Sequence, residues 1–224
     1  MKIKAIIFGS SGMIGKGLLR ECLRNPKIES LLTINRKPCH LHYTILKEII
    51  HEDFFDLSSI KKDLEGYNTC FFCLGVSSVG LSENDYTNIT YNLTIYIAET
   101  LLKINKEMTF CYISAAGADS SEKGRIMWAR VKGKTENALL KMPFTKAYMF
   151  RPSYIQPMIG IKSKTKLYNN IYSITKPFYF ILRCFKSFVT NSEALSSAMI
   201  NAAAKGYKKN ILESSDINKI ADKL

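Results

Sequence analysis

Three glycines spaced three residues apart follow the first apolar run of the chain, Lys4–Phe8, and open a helix-length amphipathic segment, Met13–Arg24. A G-x-x-G-x-x-G turn between a strand and a helix lets the backbone bend sharply, approach a pyrophosphate and pack the helix on the strand. The amino terminus of such a helix attracts phosphate. The pattern therefore predicts dinucleotide binding by Gly9, Ser10, Ser11, Gly12, Met13, Ile14 and Gly15.

Short apolar runs alternate with amphipathic segments along most of the chain, which is typical of β-α-β units with a parallel sheet. The predicted strands are Lys4–Phe8, Leu31–Ile34, Glu48–His51, Thr69–Leu74, Thr109–Ser114 and Lys146–Phe150. The predicted helices are Met13–Arg24, Ser58–Leu64, Glu83–Lys103, Lys123–Lys141, Ser192–Lys205 and Ser215–Asp222. We expect an α/β fold with a doubly wound parallel sheet (Rossmann), one domain over 1–224, and a small C-terminal lobe over 152–190 that covers the substrate.

The end of the second strand indicates which dinucleotide binds. An acidic residue there accepts hydrogen bonds from a free ribose 2′-hydroxyl, whereas a guanidinium pairs with a 2′-phosphate. This chain has Asn35-Arg36-Lys37. Arg36 and Lys37 therefore favour NADP, with NAD as the other option; the alternative is that both are solvated loop charges.

Further residues resemble the short-chain dehydrogenase/reductase superfamily over essentially the whole chain. They are Gly9–Gly15, Asp53-Phe54, Cys73-Leu74-Gly75, Ser114, Lys132 and Arg151-Pro152-Ser153. Within the superfamily, the chain is similar to atypical single-domain members such as the Tat-interacting-protein-like oxidoreductases and the NAD-dependent epimerase and dehydratase-like proteins. The resemblance implies that Asp53 and Phe54 contact adenine, and that the remaining cofactor contacts include Leu74, Gly75, Val76, Arg151 and Pro152.

The resemblance also assigns catalytic roles. It implies that Ser114 donates a hydrogen bond to a substrate carbonyl and that Lys132 holds the nicotinamide ribose. The catalytic tyrosine of the superfamily is replaced by Trp128, whose indole N–H is a donor but not an exchangeable acid near neutral pH. A positioned general acid contributes about 10²- to 10⁴-fold, so carbonyl reduction needs a substitute.

Three substitutes for the tyrosine can be named. Lys132 itself is one, if burial lowers its pKa. Tyr172–Lys176 repeats the Y-x-x-x-K spacing within the covering lobe, and Tyr43–Lys47 repeats it in the wrong part of the fold. Trp128 alternatively stacks on the nicotinamide or walls the pocket.

The net charge of +13 is concentrated late in the chain, because residues 151–190 carry seven basic and no acidic groups among dense aromatics. An anionic or lipid-like small substrate fits this composition, as does a membrane surface contacted by an interfacial helix at Pro177–Val189. Single-stranded nucleic acid is a weaker option, since no nucleic-acid module is present. The remaining interpretation is a solvated basic rim over an aromatic core.

Other features restrict the class of protein. The first apolar run is too short for a secretory signal peptide, and no stretch reaches the roughly 20 apolar residues of a membrane span, so we expect a cytoplasmic protein. Six scattered cysteines and three histidines predict no metal site and no disulfide framework. The sequence therefore predicts an NADP-dependent oxidoreductase, monomeric or homodimeric. The alternatives are a non-catalytic NADP-binding redox sensor or regulator, and a peripheral membrane protein.

Overall fold

Nine strands are present in the part of the chain that the computed structural model describes, residues 2–156 and 188–222. They are β1 (Ile3–Phe8), β2 (Ile28–Asn35), β3 (Leu46–Ile50), β4 (Thr69–Phe72), β5 (Thr109–Ile113), β6 (Lys146–Arg151), β7 (Tyr154–Gln156), β8 (Val189–Asn191) and β9 (Ile211–Glu213). Seven of them form one parallel sheet in the order β3-β2-β1-β4-β5-β6-β9. The strand order reverses between β1 and β4, which is where doubly wound sheets bind their ligands. The predicted Rossmann fold is confirmed.

The helices flank this sheet. They are α1 (Met13–Arg24), α2 (Glu83–Thr87), α3 (Leu93–Ile104), α4 (Met127–Lys141), α5 (Ser192–Lys205) and α6 (Ser214–Ala221), with a 3₁₀ helix at Ser58–Leu64. The predicted bounds of the first helix and of the helix Ser192–Lys205 agree with the structure. None of the helices within the described ranges is long and apolar enough to cross a membrane.

The core has two layers, one on each face of the sheet. Consecutive strand residues point to opposite faces, so Ile7 packs in the layer with α1, α5 and α6, whereas Phe8 packs in the layer with α3. Both residues are fully buried. A parallel sheet covered on both faces explains why its strands read as continuous apolar runs.

The predicted long helix Glu83–Lys103 is interrupted. Ser82 caps its start as expected, accepting a hydrogen bond from the Asp85 backbone, but a π turn at Asn88–Asn92 separates α2 from α3. Within this turn, the Asn92 side-chain amide donates to the Asn88 side-chain oxygen over 3.1 Å. Asparagine side chains compete with regular helical hydrogen bonding, which the apolar periodicity does not reveal.

The predicted helix start at Lys123 is wrong, because α4 begins at Met127. Asp119 holds the preceding residues in a loop by accepting hydrogen bonds from the backbone N–H groups of Ser121, at 3.0 Å, and Gly124, at 2.7 Å. Glu122 lies in the left-handed region at φ 61°. An aspartate that bonds to the backbone just after itself favours a turn over a helix.

The C-terminal part of the chain differs from the prediction at β9, which was missed because it is only three residues long. Residues 157–187 lie outside the described ranges, and with them Tyr172–Lys176 and most of the segment Pro177–Val189. The described residues of the predicted covering lobe form the β7–β8 pair. The lobe itself stays a prediction.

Candidate functional site

The turn after β1 accepts only glycine at two of its positions. Gly9 has φ +85°, and a Cβ there would lie 2.9 Å from the backbone nitrogen of Leu74. A Cβ at Gly15 would overlap the carbonyl oxygen of Gly9. The glycines therefore bring the start of α1 against the end of β4, at the point where the strand order reverses.

The first turn of α1 has the properties of an anion site. Gly12 is the N-cap residue and supplies no side-chain cap, and the first turn holds no acidic residue. The first four N–H groups of a helix lack intrahelical partners and carry a partial positive charge. A Cβ at Gly12 would meet only the Gly9 carbonyl oxygen, at 3.5 Å, so the surface above this residue is open. This cradle fits a pyrophosphate, and Ser11, Met13 and Ile14 lie at its edge.

A buried polar chain connects this turn to β2. The Ser10 hydroxyl donates to the Asn35 side-chain oxygen at 2.8 Å, and the Asn35 amide donates to Glu48 at 2.9 Å. The Glu48 carboxylate also accepts from the backbone N–H of Cys39, at 2.9 Å. These bonds fix the residues that follow β2 relative to the glycine turn.

Arg36 and Lys37 lie in this fixed segment and are exposed. Neither side chain forms a hydrogen bond or an ion pair with any residue in the described ranges. They follow β2 at the carboxyl edge of the sheet, where the adenosine half of a dinucleotide lies in this fold. Within the described ranges both cations at this edge are therefore available to an anion.

The other predicted cofactor contacts lie on the loops after β3 and β4. Asp53 is exposed and accepts a hydrogen bond from the Phe55 backbone, whereas Phe54 is 8% exposed and its ring packs edge-on against Phe8. Leu74 is half-buried. Gly75 and Val76 are exposed beside it.

Ser114 directly follows β5 and has an unusual environment. Its backbone N–H donates to the Phe150 carbonyl at 2.7 Å, but its side-chain oxygen is buried and has no hydrogen-bond partner among the described residues. Buried hydroxyls are almost always paired, and Thr33 and Thr90 are the other exceptions in the described ranges. Ser114 differs from these two because it directly follows the carboxyl end of a sheet strand, where a ligand can complete it. The next loop is fixed nearby, because the Ala116 N–H donates to the Pro152 carbonyl at 3.1 Å.

Lys132 reaches the same strand end from α4. Its Nζ donates to the Ile113 carbonyl at 3.0 Å and to the Tyr112 hydroxyl at 3.3 Å, and it lies 4.9 Å from the centre of the Tyr112 ring. Burial lowers the pKa of Lys132 to about 8, against an opposing effect of Glu136. Ser114 and Lys132 are thus brought together through Ile113, as the resemblance implies.

Trp128 lies one helical turn before Lys132 on α4 and is partly buried. Its six-membered ring is near Gly117, where a Cβ would lie 3.5 Å from the ring edge. The ring therefore packs on the loop that follows Ser114.

Close packing of α4 on this loop depends on Gly133. A Cβ at Gly133 would overlap the Asp119 carbonyl oxygen, and the Asp119 N–H donates to the Ala129 carbonyl at 2.9 Å. No larger residue allows the helix to approach so closely. This contact therefore determines how closely Lys132 approaches the end of β5.

Arg151 has partners other than a cofactor. Its Nε donates to Glu136 at 2.9 Å, and its terminal nitrogens donate to Glu213 at 3.3 Å and to Ser120 at 2.9 Å. Glu136 is fully buried, and the Arg151 side chain is 12% exposed. The guanidinium neutralises a buried carboxylate. We therefore assign Arg151 a structural role in place of the cofactor contact that the resemblance implies.

The cysteines form no site in the described ranges. Cys70 packs in one core layer and Cys73 against the other, as their spacing in a strand predicts. Burial raises the pKa of Cys73 to about 12, which leaves its thiol protonated. No group of three metal-ligating side chains is present among residues 2–156 and 188–222.

The chain is similar in sequence to several named proteins. No profile of a known protein family matches it. The mitochondrial protein FMP52 of Debaryomyces hansenii is 25% identical over 73% of this chain and 70% of its own length. The protein HTATIP2 of Rattus norvegicus is 26% identical over 66% of this chain and 61% of its own.

Solved structures share the fold. The complex of MoeE5 with UDP-glucose and NAD has a TM-score of 0.69 and 16% identity over 93% of this chain and 75% of its own. The carbonyl reductase Sniffer of D. melanogaster has a TM-score of 0.65 and 13% identity over 96% of this chain and 98% of its own. These structures confirm the fold that the resemblance to the short-chain dehydrogenase/reductase superfamily implies, and HTATIP2 bears out the similarity to the Tat-interacting-protein-like proteins.

The prediction of a cytoplasmic protein is wrong by the same comparison, because the FMP52 relatives are named mitochondrial proteins. The sequence argument tested only for a secretory signal and a membrane span. The lack of either does not distinguish the cytoplasm from the mitochondrion.

The sequence analysis missed three residues that build the site. Asn35 was predicted only to end the second strand and Glu48 to begin the third, yet they connect the glycine turn to the segment with Arg36. Glu136 follows Lys132 by four residues, a spacing that places both on one helix face, and this was the available signal.

Proposed function

We propose that this protein is an NADP-binding oxidoreductase of the atypical short-chain type that reduces a small or lipid-like carbonyl compound. The observation that carries the proposal is the buried, unpaired Ser114 hydroxyl next to Lys132, on the same edge of the sheet as the glycine turn. A bound dihydronicotinamide supplies a hydride in such enzymes. The names of the relatives favour a mitochondrial location.

The glycine turn and the two cations after β2 support the cofactor assignment. The uncapped first turn of α1 receives the pyrophosphate at Gly12, and Arg36 and Lys37 pair with the 2′-phosphate. A charge-assisted hydrogen bond is worth about 1.5–3 kcal/mol, which corresponds to at least about tenfold preference for NADP over NAD. MoeE5, which has a similar fold, binds NAD, and this supports a nicotinamide dinucleotide as the cofactor. The preference for NADP over NAD rests on Arg36 and Lys37.

The substrate carbonyl lies between Ser114 and Lys132 in this proposal. The Ser114 hydroxyl donates a hydrogen bond to the carbonyl oxygen. The substrate thereby supplies the hydrogen-bond partner that this hydroxyl lacks among the described residues. Trp128 forms one wall of the pocket. Removal of a single preorganised donor to a developing oxyanion typically costs about 10²- to 10³-fold in kcat.

Exposed apolar side chains favour a substrate with an apolar body. Val76 and Val79 follow β4, and Ile126 precedes α4, and these side chains are 43%, 69% and 58% exposed. Arg130 ties the two loops together by donating to Glu83 at 2.7 Å and to the Gly124 carbonyl at 2.7 Å. An apolar chain buried against them gains about 0.8 kcal/mol per methylene group.

Turnover of NADPH by the purified protein, measured with straight-chain aldehydes and ketones of increasing length, tests the proposal. We expect NADPH oxidation with kcat/KM rising by about fourfold per added methylene group until the apolar rim is covered. Native mass spectrometry of the same sample is expected to detect bound NADP. No turnover with any compound, despite tight NADPH binding, contradicts the oxidoreductase assignment.

A second candidate is a non-catalytic NADP-binding regulator, which Trp128 in the tyrosine position favours. In this case the redox state of the cofactor changes a surface that a partner contacts. Trp128→Tyr discriminates between the two candidates. A gain in turnover supports a degenerate enzyme, whereas tight cofactor binding without turnover in either protein supports the regulator.

A further inference from the structure

We infer that Lys132 is the proton donor of the proposed reduction, and that the buried Glu136–Arg151 ion pair positions it. The inference rests on the proposed function and identifies the group that acts where the superfamily has a tyrosine. It follows from the hydrogen bonds of Lys132, from the burial of its neighbours and from the partners of Glu136.

The hydrogen bonds of Lys132 leave one proton available. An ammonium group has three N–H donors. Two of them are directed to the Ile113 carbonyl and the Tyr112 hydroxyl. The third has no partner within the described ranges, and Ile113 immediately precedes Ser114. A carbonyl that accepts from Ser114 therefore lies beside the remaining N–H of Lys132.

The other groups near this position are unsuitable as acids. Tyr112 on β5 is 1% exposed, and burial raises the pKa of its phenol further above the ordinary value. Tyr86 on α2 is 3% exposed. The indole of Trp128 does not release its proton near neutral pH, and neither does the alcohol of Ser114.

Glu136 lies one helical turn beyond Lys132 and is fully buried. An unpaired carboxylate there would draw the lysine ammonium along the helix and away from β5. The guanidinium of Arg151 neutralises this carboxylate through two of its nitrogens. Lys132 consequently keeps its hydrogen bonds to Ile113 and Tyr112, next to Ser114.

The pKa of Lys132 agrees with this role. Burial lowers it to about 8, and a general acid works best when its pKa is near the operating pH. The acid form is protonated below this pKa and loses its proton above it. The rate of carbonyl reduction is therefore expected to fall as the pH rises through about 8.

Lys132 would supply the proton that completes the reduction. A bound dihydronicotinamide would supply a hydride to the carbonyl carbon, the π electron pair would move to the oxygen, and that oxygen would take a proton from Nζ of Lys132. The products are an alcohol, an oxidised nicotinamide and a neutral Lys132. Solvent then returns a proton to the amine.

Lys132→Arg tests proton donation separately from charge. Arginine keeps a cation at this position but does not release a proton in proteins. We expect kcat to fall by about 10²- to 10⁴-fold while NADPH affinity, measured by calorimetry, stays close to that of the wild type. Lys134→Arg is the matched control, because Lys134 is exposed on the same helix and stacks on Tyr91.

The outcomes separate the two proposals. No turnover by the wild type overturns the oxidoreductase assignment and this inference with it. Turnover that Lys132→Arg retains overturns the inference alone. A titration of the Lys132 Cε resonance by NMR, assigned by its loss in Lys132→Arg, measures the pKa of Lys132 directly. A midpoint more than two pH units from the alkaline limb of kcat also overturns the inference.

The electrostatic effect of the ion pair on Lys132 is tested by Glu136→Gln combined with Arg151→Met, which removes both charges together. We expect the NMR midpoint of Lys132 and the alkaline limb of kcat to move together to lower pH, because Glu136 raises the pKa of Lys132. If the double variant melts earlier but keeps both midpoints, the pair is only structural. If the double variant does not fold, the NMR midpoint of Lys132 and the alkaline limb of kcat are measured in the single variant Glu136→Asp instead.

Discussion

The hydroxyl of Ser10 donates a hydrogen bond to the side-chain oxygen of Asn35 over 2.8 Å, entirely within the core. Ser10 belongs to the glycine turn, and Asn35 ends β2. The bond therefore sets the spacing between the proposed pyrophosphate cradle and the cations that follow β2. Glu48 extends this connection to the backbone of Cys39 on the far side of those cations.

The first prediction concerns the exposed guanidinium that follows Asn35. Arg36→Ser is expected to weaken NADP binding by about tenfold or more and to leave NAD binding nearly unchanged, because only the 2′-phosphate loses a charge-assisted bond. Isothermal titration with both dinucleotides measures the ratio. Arg24→Ser is the control, since Arg24 is exposed at the opposite end of α1 and removes the same charge. An unchanged NADP-to-NAD ratio in Arg36→Ser contradicts the assignment.

The second prediction uses two buried hydroxyls that lack partners among the described residues, those of Ser114 and Thr33. Ser114→Ala is expected to lower kcat/KM for a carbonyl substrate by about 10²- to 10³-fold without destabilising the fold, because it removes a donor that has no partner in the described part of the chain. Thr33→Val, on β2, is expected to raise the free energy of unfolding by about 1 kcal/mol and to leave turnover intact. Steady-state kinetics and urea denaturation on both variants check this pair. Equal turnover in Ser114→Ala and the wild type would show that the hydroxyl does not contact the substrate.

Much of the fold follows from local sequence patterns. The glycine turn, the strand β1 and the helix α1 share one short segment, so their periodicity and turn residues were sufficient to place them. The positions of Ser114 and Lys132 were also recoverable, because a resemblance fixes residues relative to the ends of strands and helices.

Contacts between distant segments could not be predicted in this way. The Glu136–Arg151 pair joins residues 15 positions apart, and Ser10 and Asn35 are 25 apart. Ser10 and Asn35 meet because β1 and β2 are neighbours in the sheet, and Glu136 meets Arg151 because α4 packs against β6. The loop at Asp119 was missed for a different reason, since its backbone hydrogen bonds outweigh the helical propensity of the residues that follow.

The third prediction concerns Gly133. Gly133→Ala is expected to lower the free energy of unfolding by about 3 kcal/mol or more, because its Cβ would overlap backbone that cannot move as a flexible side chain does. Lys134→Ala, one residue further on the same helix, is exposed and is expected to change it by less than about 0.5 kcal/mol. Urea denaturation measures both. A Gly133→Ala variant as stable as the wild type would mean that α4 does not pack on the Asp119 loop as described.

The fourth prediction concerns the stability of the buried ion pair. Glu136→Gln alone is expected to destabilise the protein by about 3–5 kcal/mol, since it removes the buried carboxylate that neutralises Arg151 and leaves only the more exposed Glu213 as its ion-pair partner. The double variant with Arg151→Met is expected to recover most of this loss. A double-mutant cycle from thermal unfolding gives the coupling. Additive effects of the two substitutions would contradict the burial of the pair.

The binding of a dinucleotide at the glycine turn supports every other part of this account, and Gly12→Asp tests it most directly. Aspartate is a favourable N-cap residue and there is space for its Cβ, so the variant is expected to melt no earlier than the wild type. Its carboxylate would repel a pyrophosphate at the start of α1. Calorimetric titration with NADP is expected to give a binding isotherm for the wild type and no heat for Gly12→Asp; no heat with the wild type, or equal affinities in the two proteins, would contradict the account.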